Sequence, residues 1–182
     1  MKLSRDIILQ ILDTLFNIFE YKCIVTGSCS DMFNINFEDI KDIDIVIDED
    51  SFNKFKSKID NNRLFTLLTV LNGINGKNGT KLYRYLYIYY QIDITIILSG
   101  SEFDNLRKYE LENTKQININ EKTYIIHSLE TRLKHLINTT NEYVRSRPDY
   151  ETKIKKAHDR LEIYENLFRL QMRDKTDSRN DT

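Results

Sequence analysis

One short run constrains this chain more than any other. In Asp42-Ile43-Asp44-Ile45-Val46-Ile47-Asp48, acidic and aliphatic residues alternate. Side chains on a β-strand point to opposite faces in turn. A strand here therefore buries Ile43 and Ile45 on one face and sets Asp42 and Asp44 side by side on the other. Such a strand needs a sheet around it. Leu82 to Tyr90 and Ile92 to Leu98, dense in Tyr and Ile, are the strongest further strand signals.

The remaining elements read more weakly. Ser4 caps a helix to about Glu20, with Ile8, Leu12, Leu15 and Phe19 at helical spacing. Lys22 to Thr26 reads as a buried strand ending at a Gly27 turn, and a short helix follows from Ser28 to about Phe33. Residues 34 to 41 read as a loop, and Ser51 is placed as the cap of a helix through Ile59. Residues 64 to 71 read as a strand, with helix left open by Leu67 and Leu68. Asn72 to Thr80, rich in Gly and Asn, suits a loop or hairpin tip. Ser101 starts a helix to about Leu111. A small hairpin turns at Asn120-Glu121-Lys122. Helices follow from Ser128 and over about 149 to 172, the latter striped by Ile154, Ala157, Leu161, Tyr164 and Phe168.

The chain has 182 residues, enough for one domain with a helical appendage. Apolar residues make up 40% and charged residues 30%, which supports a packed core. A formal net charge of −1 argues against a nucleic-acid-binding module. Cys23 and Cys29 make no disulfide framework or zinc set and read as reduced thiols of a cytoplasmic protein. No apolar run reaches membrane-span length.

The chemistry lies in the carboxylates. Asp42 and Asp44 repel each other unless a cation sits between them. Mg²⁺ is commonly held by one or two carboxylates together with substrate phosphates. Asp93, within Ile92-Asp93-Ile94, adds a third acid if its strand lies beside the first. Three converging carboxylates suit two ions about 3.5–4 Å apart, the arrangement for in-line phosphoryl transfer. Gly27-Ser28 reads as a glycine turn leading into a helix N-terminus, where backbone amides receive phosphate oxygens. The bland alternatives are surface acids on an edge strand, Ser28 as a helix cap, and tyrosines at 83, 85, 87 and 89 that pack on a sheet face rather than stack a base. Cys23, Cys29 and the three histidines read as ordinary residues.

Gly27-Ser28, a spacer of thirteen residues, Asp42-Ile43-Asp44-Ile45 and a distant Asp93 together resemble the nucleotidyltransferase fold of the DNA polymerase beta superfamily. The resemblance implies an α+β fold, a mixed β-sheet flanked by helices, with a C-terminal helical extension. The chain reads as a core over 1–126 with helices of 127–173 packed on it, and the polar end over 174–182 reads as a disordered tail. The resemblance implies transfer of a nucleoside monophosphate from an NTP, most often ATP, to an acceptor hydroxyl with two Mg²⁺ ions. Asp42, Asp44 and Asp93 would be catalytic metal ligands. Gly27 and Ser28 would hold phosphates, with Lys41 and Arg84 as further nucleotide contacts. Lys41 departs from the small polar residue common there, and the spacer is at the long end of the family range. Lys134, and Lys156 with Asp159, match the family's helical residues weakly. The acceptor is open between protein, RNA and small molecule, and so compact a chain is compatible with a homo-oligomer or a partner chain completing its site. A protein of this fold that has lost activity and serves as a structural or binding subunit is the competing reading.

Overall fold

The computed structural model describes residues 2–72, 79–101, 113–142 and 150–180. The expected helix after Ser101 and most of the expected loop from Asn72 lie outside these residues. The chain divides into two compact units, Met1–His127 and Ser128–Thr182. Among the described residues no helix is long and apolar enough to cross a membrane.

The first unit is a mixed seven-stranded sheet with helices. In chain order it contains α1 (Arg5–Ile18), β1 (Ile24–Thr26), α2 (Gly27–Ile35), β2 (Asp42–Asp48), α3 (Glu49–Asp60), β3 (Phe65–Asn72), β4 (Thr80–Tyr87), β5 (Tyr90–Ile97), β6 (Thr114–Ile119) and β7 (Lys122–His127). The strands lie in the order β3-β4-β5-β2-β1-β7-β6. The alternating β2 strand is near the centre, parallel to β5 and antiparallel to β1. Ile43, Ile45 and Ile47 are fully buried, as are Ile92 and Ile94 beside them.

That apolar face packs on α1 and α3. α1 starts where Ser4 accepts a hydrogen bond from the Ile7 amide. It buries Ile8, Ile11, Leu12, Leu15 and Phe16. Phe19 stacks near Phe52 of α3, and Phe52 meets Tyr83 of β4 at 4.6 Å between ring centres. Tyr85 and Tyr87 are buried against Phe65. The tyrosine ladder is therefore core on the face opposite the acids, and only Tyr89, in a turn, is largely exposed.

Several boundaries differ from the sequence reading, each for a local reason. Asp48, not Ser51, caps α3, because its carboxylate accepts from the Ser51 amide at 2.6 Å. α2 begins at Gly27 and runs to Ile35, where Asn36 takes the left-handed conformation (φ 54°) that ends it. The β4–β5 turn falls on Ile88-Tyr89, pairing Tyr87 with Tyr90, and Ile88 has φ 58°. No Gly or Asn marks that turn, and a β-branched residue there is strained. The β6–β7 hairpin does turn at Asn120-Glu121, both at positive φ.

The second unit contains α4 (Leu129–Glu142) and α5 (Tyr150–Asn180). Ser128 Oγ accepts from the Thr131 amide and so caps α4. Leu136, Ala157 and Tyr164 are buried. α5 continues past the end expected near 172, through most of the segment read as a tail. Its sequence there holds no Gly or Pro to stop it.

Candidate active site

The sheet topology puts four site positions in one row. β5 lies beside β2 with Asp93 paired to Asp44, and β1 lies on the other side with Thr26 paired to Asp44. Arg84 of β4 pairs with Asp93. Asp42 is two residues before Asp44 on the same face. Asp42, Asp44 and Asp93 each present a carboxylate oxygen, and these oxygens all lie within 4.8 Å of one another. Asp93 is 8% exposed, and Asp42 and Asp44 are half-buried.

Gly27 closes the group from the β1 side. Its φ is 59°, and a Cβ placed on it would lie 2.1 Å from Asp44 Oδ2. The β1–α2 turn therefore runs flush against the Asp44 carboxylate, which only a glycine permits. Ser28 follows in the first turn of α2 and is buried. Thr26 is the N-cap residue of α2, yet its side chain makes no capping hydrogen bond. Ser28 is thus not the helix cap.

Arg84, expected at a phosphate, is placed on Asp93. Its Nε donates to Oδ1 at 2.8 Å and its Nη2 to Oδ2 at 2.6 Å. Gln91 Nε2 adds a third donor to Oδ1 at 3.2 Å. The Asp93 hydrogen bonds, then the charge of Asp93 itself and the field of Asp42 and Asp44, outweigh burial and raise the Arg84 pKa above its ordinary value. Lys41 is exposed just before β2.

We expect Arg84→Met to destabilise the protein in the absence of divalent cations by on the order of 1–3 kcal/mol, since charged hydrogen bonds of this type are lost. Added Mg²⁺ should restore the midpoint in the variant more than it raises that of the native protein. Thermal unfolding with and without Mg²⁺ checks this, and an unchanged midpoint in both conditions would contradict it.

Both cysteines are buried free thiols. Burial pushes the Cys23 thiol from 9.0 up to about 12. Burial, then the charges of Asp44 and Asp42, hold the Cys29 thiol well above 9.0. A raised thiol pKa means the unfolded chain loses its proton first. Stability from the Cys23 thiol is complete below about pH 9 and is lost as pH rises toward 12, by about 1.4 kcal/mol per pH unit, and the raised Cys29 thiol acts in the same direction. Urea unfolding at pH 8 and pH 10.5 should show a marked fall, and Cys23→Ala should lessen it while leaving the share due to Cys29.

Sequence reasoning passed over Gln91, Thr26 and His127. His127 Nδ1 lies 2.9 Å from Thr26 Oγ1, and the His127 carbonyl accepts from Ser30 Oγ at 3.2 Å and Asn34 Nδ2 at 3.0 Å. Nothing in the spacing of a histidine a hundred residues downstream marks these contacts. Only the β1–β7 pairing brings it here.

No protein-family model matches the chain, and no curated protein matches it. Among solved structures it is similar to a supposed nucleotidyltransferase from Thermotoga maritima, at 13% identity and a TM-score of 0.53. That match covers 86% of this chain and 96% of the other. A supposed nucleotidyltransferase from H. pylori matches at 12% identity over 91% of this chain and 83% of its own, but a TM-score of 0.37 carries no argument. The first likeness speaks for fold alone. The chain has a nucleotidyltransferase-like fold.

Proposed function

We propose that this chain belongs with the DNA polymerase beta superfamily and transfers a nucleoside monophosphate from an NTP, ATP foremost, to an acceptor hydroxyl. The observation that carries the reading is the convergence of three carboxylates beside a glycine turn that admits no Cβ. Surface acids need no such glycine. The donor set also fits the metal, because hard carboxylate oxygens at this spacing suit Mg²⁺.

Asp42 and Asp44 would hold two Mg²⁺ ions, with Asp93 on one of them. When bound, such ions activate a hydroxyl nucleophile and neutralise charge on the triphosphate. The chain's own residues do the rest. Gly27 and Ser28 offer backbone amides at the start of α2 to the β and γ phosphates. Arg84 and Gln91 fix the plane of the Asp93 carboxylate, so its orientation is set before substrate arrives. The acceptor is a protein, an RNA or a small molecule.

The Arg84–Asp93 pair also favours a second reading. A guanidinium already neutralises one of the three acids, as it would in a silent site where it stands in for a cation. Transfer of label decides between them. The protein is incubated with Mg²⁺ and ATP labelled at the α or the γ phosphate, with protein, RNA and small-molecule fractions as acceptors. The enzyme reading predicts transfer of α label, lost in Asp93→Asn. Label from the γ position, or no transfer by a protein that binds ATP, favours the silent reading or another chemistry.

A further inference from the structure

The row of polar residues on the sheet does not stop at Asp44. It continues through Thr26 on β1 to His127 at the end of β7, where Val25 and Ile126 are register partners one residue earlier. His127 is fully buried and makes two kinds of contact with the β1–α2 turn. Its carbonyl receives Ser30 Oγ and Asn34 Nδ2, both from α2. Its ring meets the Thr26 hydroxyl. One residue thereby fastens the strand before the glycine turn and the helix after it.

The Thr26 contact has a specific consequence. Thr26 stands at the N-cap of α2 with extended backbone (φ −130°, ψ −166°), the setting in which a threonine hydroxyl ordinarily accepts from the second or third helical amide. Here the hydroxyl makes no such bond and goes to His127 instead. A capped helix start would offer its amides to its own side chain. Here the Thr26 side chain leaves them uncapped, beside three carboxylates and at a turn with no Cβ in the way.

We infer that His127 is a positioning residue for the phosphate end of the site: it draws the Thr26 hydroxyl off the α2 amides and so keeps them open for a triphosphate. This rests on the nucleotide-site reading above. It adds a residue to that site that touches neither metal nor nucleotide and acts through Thr26.

The test is a set of variants read by calorimetry with ATP in the presence of Mg²⁺, and separately with Mn²⁺ alone. His127→Leu releases the Thr26 hydroxyl to cap the helix. It should weaken ATP about tenfold, the loss of one competing hydrogen bond near 1.4 kcal/mol, and leave Mn²⁺ affinity within about twofold. His127→Asn, whose amide lies near the Nδ1 position, should stay close to native. Thr26→Val, which cannot cap, should also bind ATP nearly as well as the native protein. The double variant His127→Leu, Thr26→Val should recover most of the affinity lost in His127→Leu. A merely structural role for His127 predicts no such recovery. ATP affinity unchanged in His127→Leu, or a double variant no better than the single, would overturn the inference. If His127→Leu does not fold, Thr26→Val still overturns the inference by a tenfold loss, which would mean that the hydroxyl itself serves the nucleotide. Absence of ATP binding by the native protein would instead remove the nucleotide-site reading itself, and the inference with it.

Discussion

Gly27→Ala should abolish Mg²⁺-dependent nucleotide binding while leaving a foldable chain. Two costs act at once. The backbone at φ 59° disfavours any side chain, and the new methyl would sit 2.1 Å from Asp44 Oδ2. Strain of this kind costs on the order of 1–3 kcal/mol. The cheaper escape is rotation of the Asp44 carboxylate, which removes it from the group it forms with Asp42 and Asp93. We therefore expect a lowered unfolding midpoint together with loss of any ATP-dependent rise. Gly27→Val should be worse on both counts. Native-like ATP affinity in Gly27→Ala would show that the close approach of turn and carboxylate has no part in the site.

The carboxylates themselves should separate activity from stability in opposite directions. Asp44→Asn keeps the shape of the side chain and removes one of three crowded negative charges. Without divalent cations the variant should be as stable as the native protein, or more stable by up to about 1 kcal/mol, because like charges repel. Transfer should nevertheless fall by roughly three orders of magnitude, since losing a metal ligand removes several kcal/mol of transition-state stabilisation. Asp93→Asn should lose activity to a similar degree but also lose stability, because it deprives Arg84 and Gln91 of the carboxylate they hold. Steady-state transfer rates beside urea unfolding of both variants check the pattern. If both variants transfer normally, the three acids are a surface feature.

The carboxylates were legible in the sequence because the two-residue period of a strand needs no partner to be read. The Asp42–Asp48 alternation alone places Ile43, Ile45 and Ile47 in the core, where they are fully buried. The glycine turn was legible for the same local reason. Pairing across the sheet was less so. With strands read as Leu82–Tyr90 and Ile92–Leu98, the turn falls on Gln91, and Arg84 has no register with Asp93. The actual turn at Ile88-Tyr89 shifts the pairing, so that Arg84 faces Asp93 and Gln91 reaches it too. That turn carries no Gly, Asn or Asp, so nothing in its composition marks it. His127 lay beyond reach for a different reason. Its place depends on a parallel β1–β7 contact across a hundred residues of chain, and no local pattern encodes that.

Thermal unfolding with each NTP, with and without Mg²⁺, on the native protein and on Asp44→Asn tests the central claim most directly and needs no acceptor. A ligand at 100 times its dissociation constant should stabilise the native protein by about 2.7 kcal/mol, several degrees in the midpoint. The nucleotide-site account predicts that shift with at least one NTP, only when Mg²⁺ is present, and its loss in Asp44→Asn. No shift with any NTP at millimolar concentration, or an equal shift in Asp44→Asn, would contradict it.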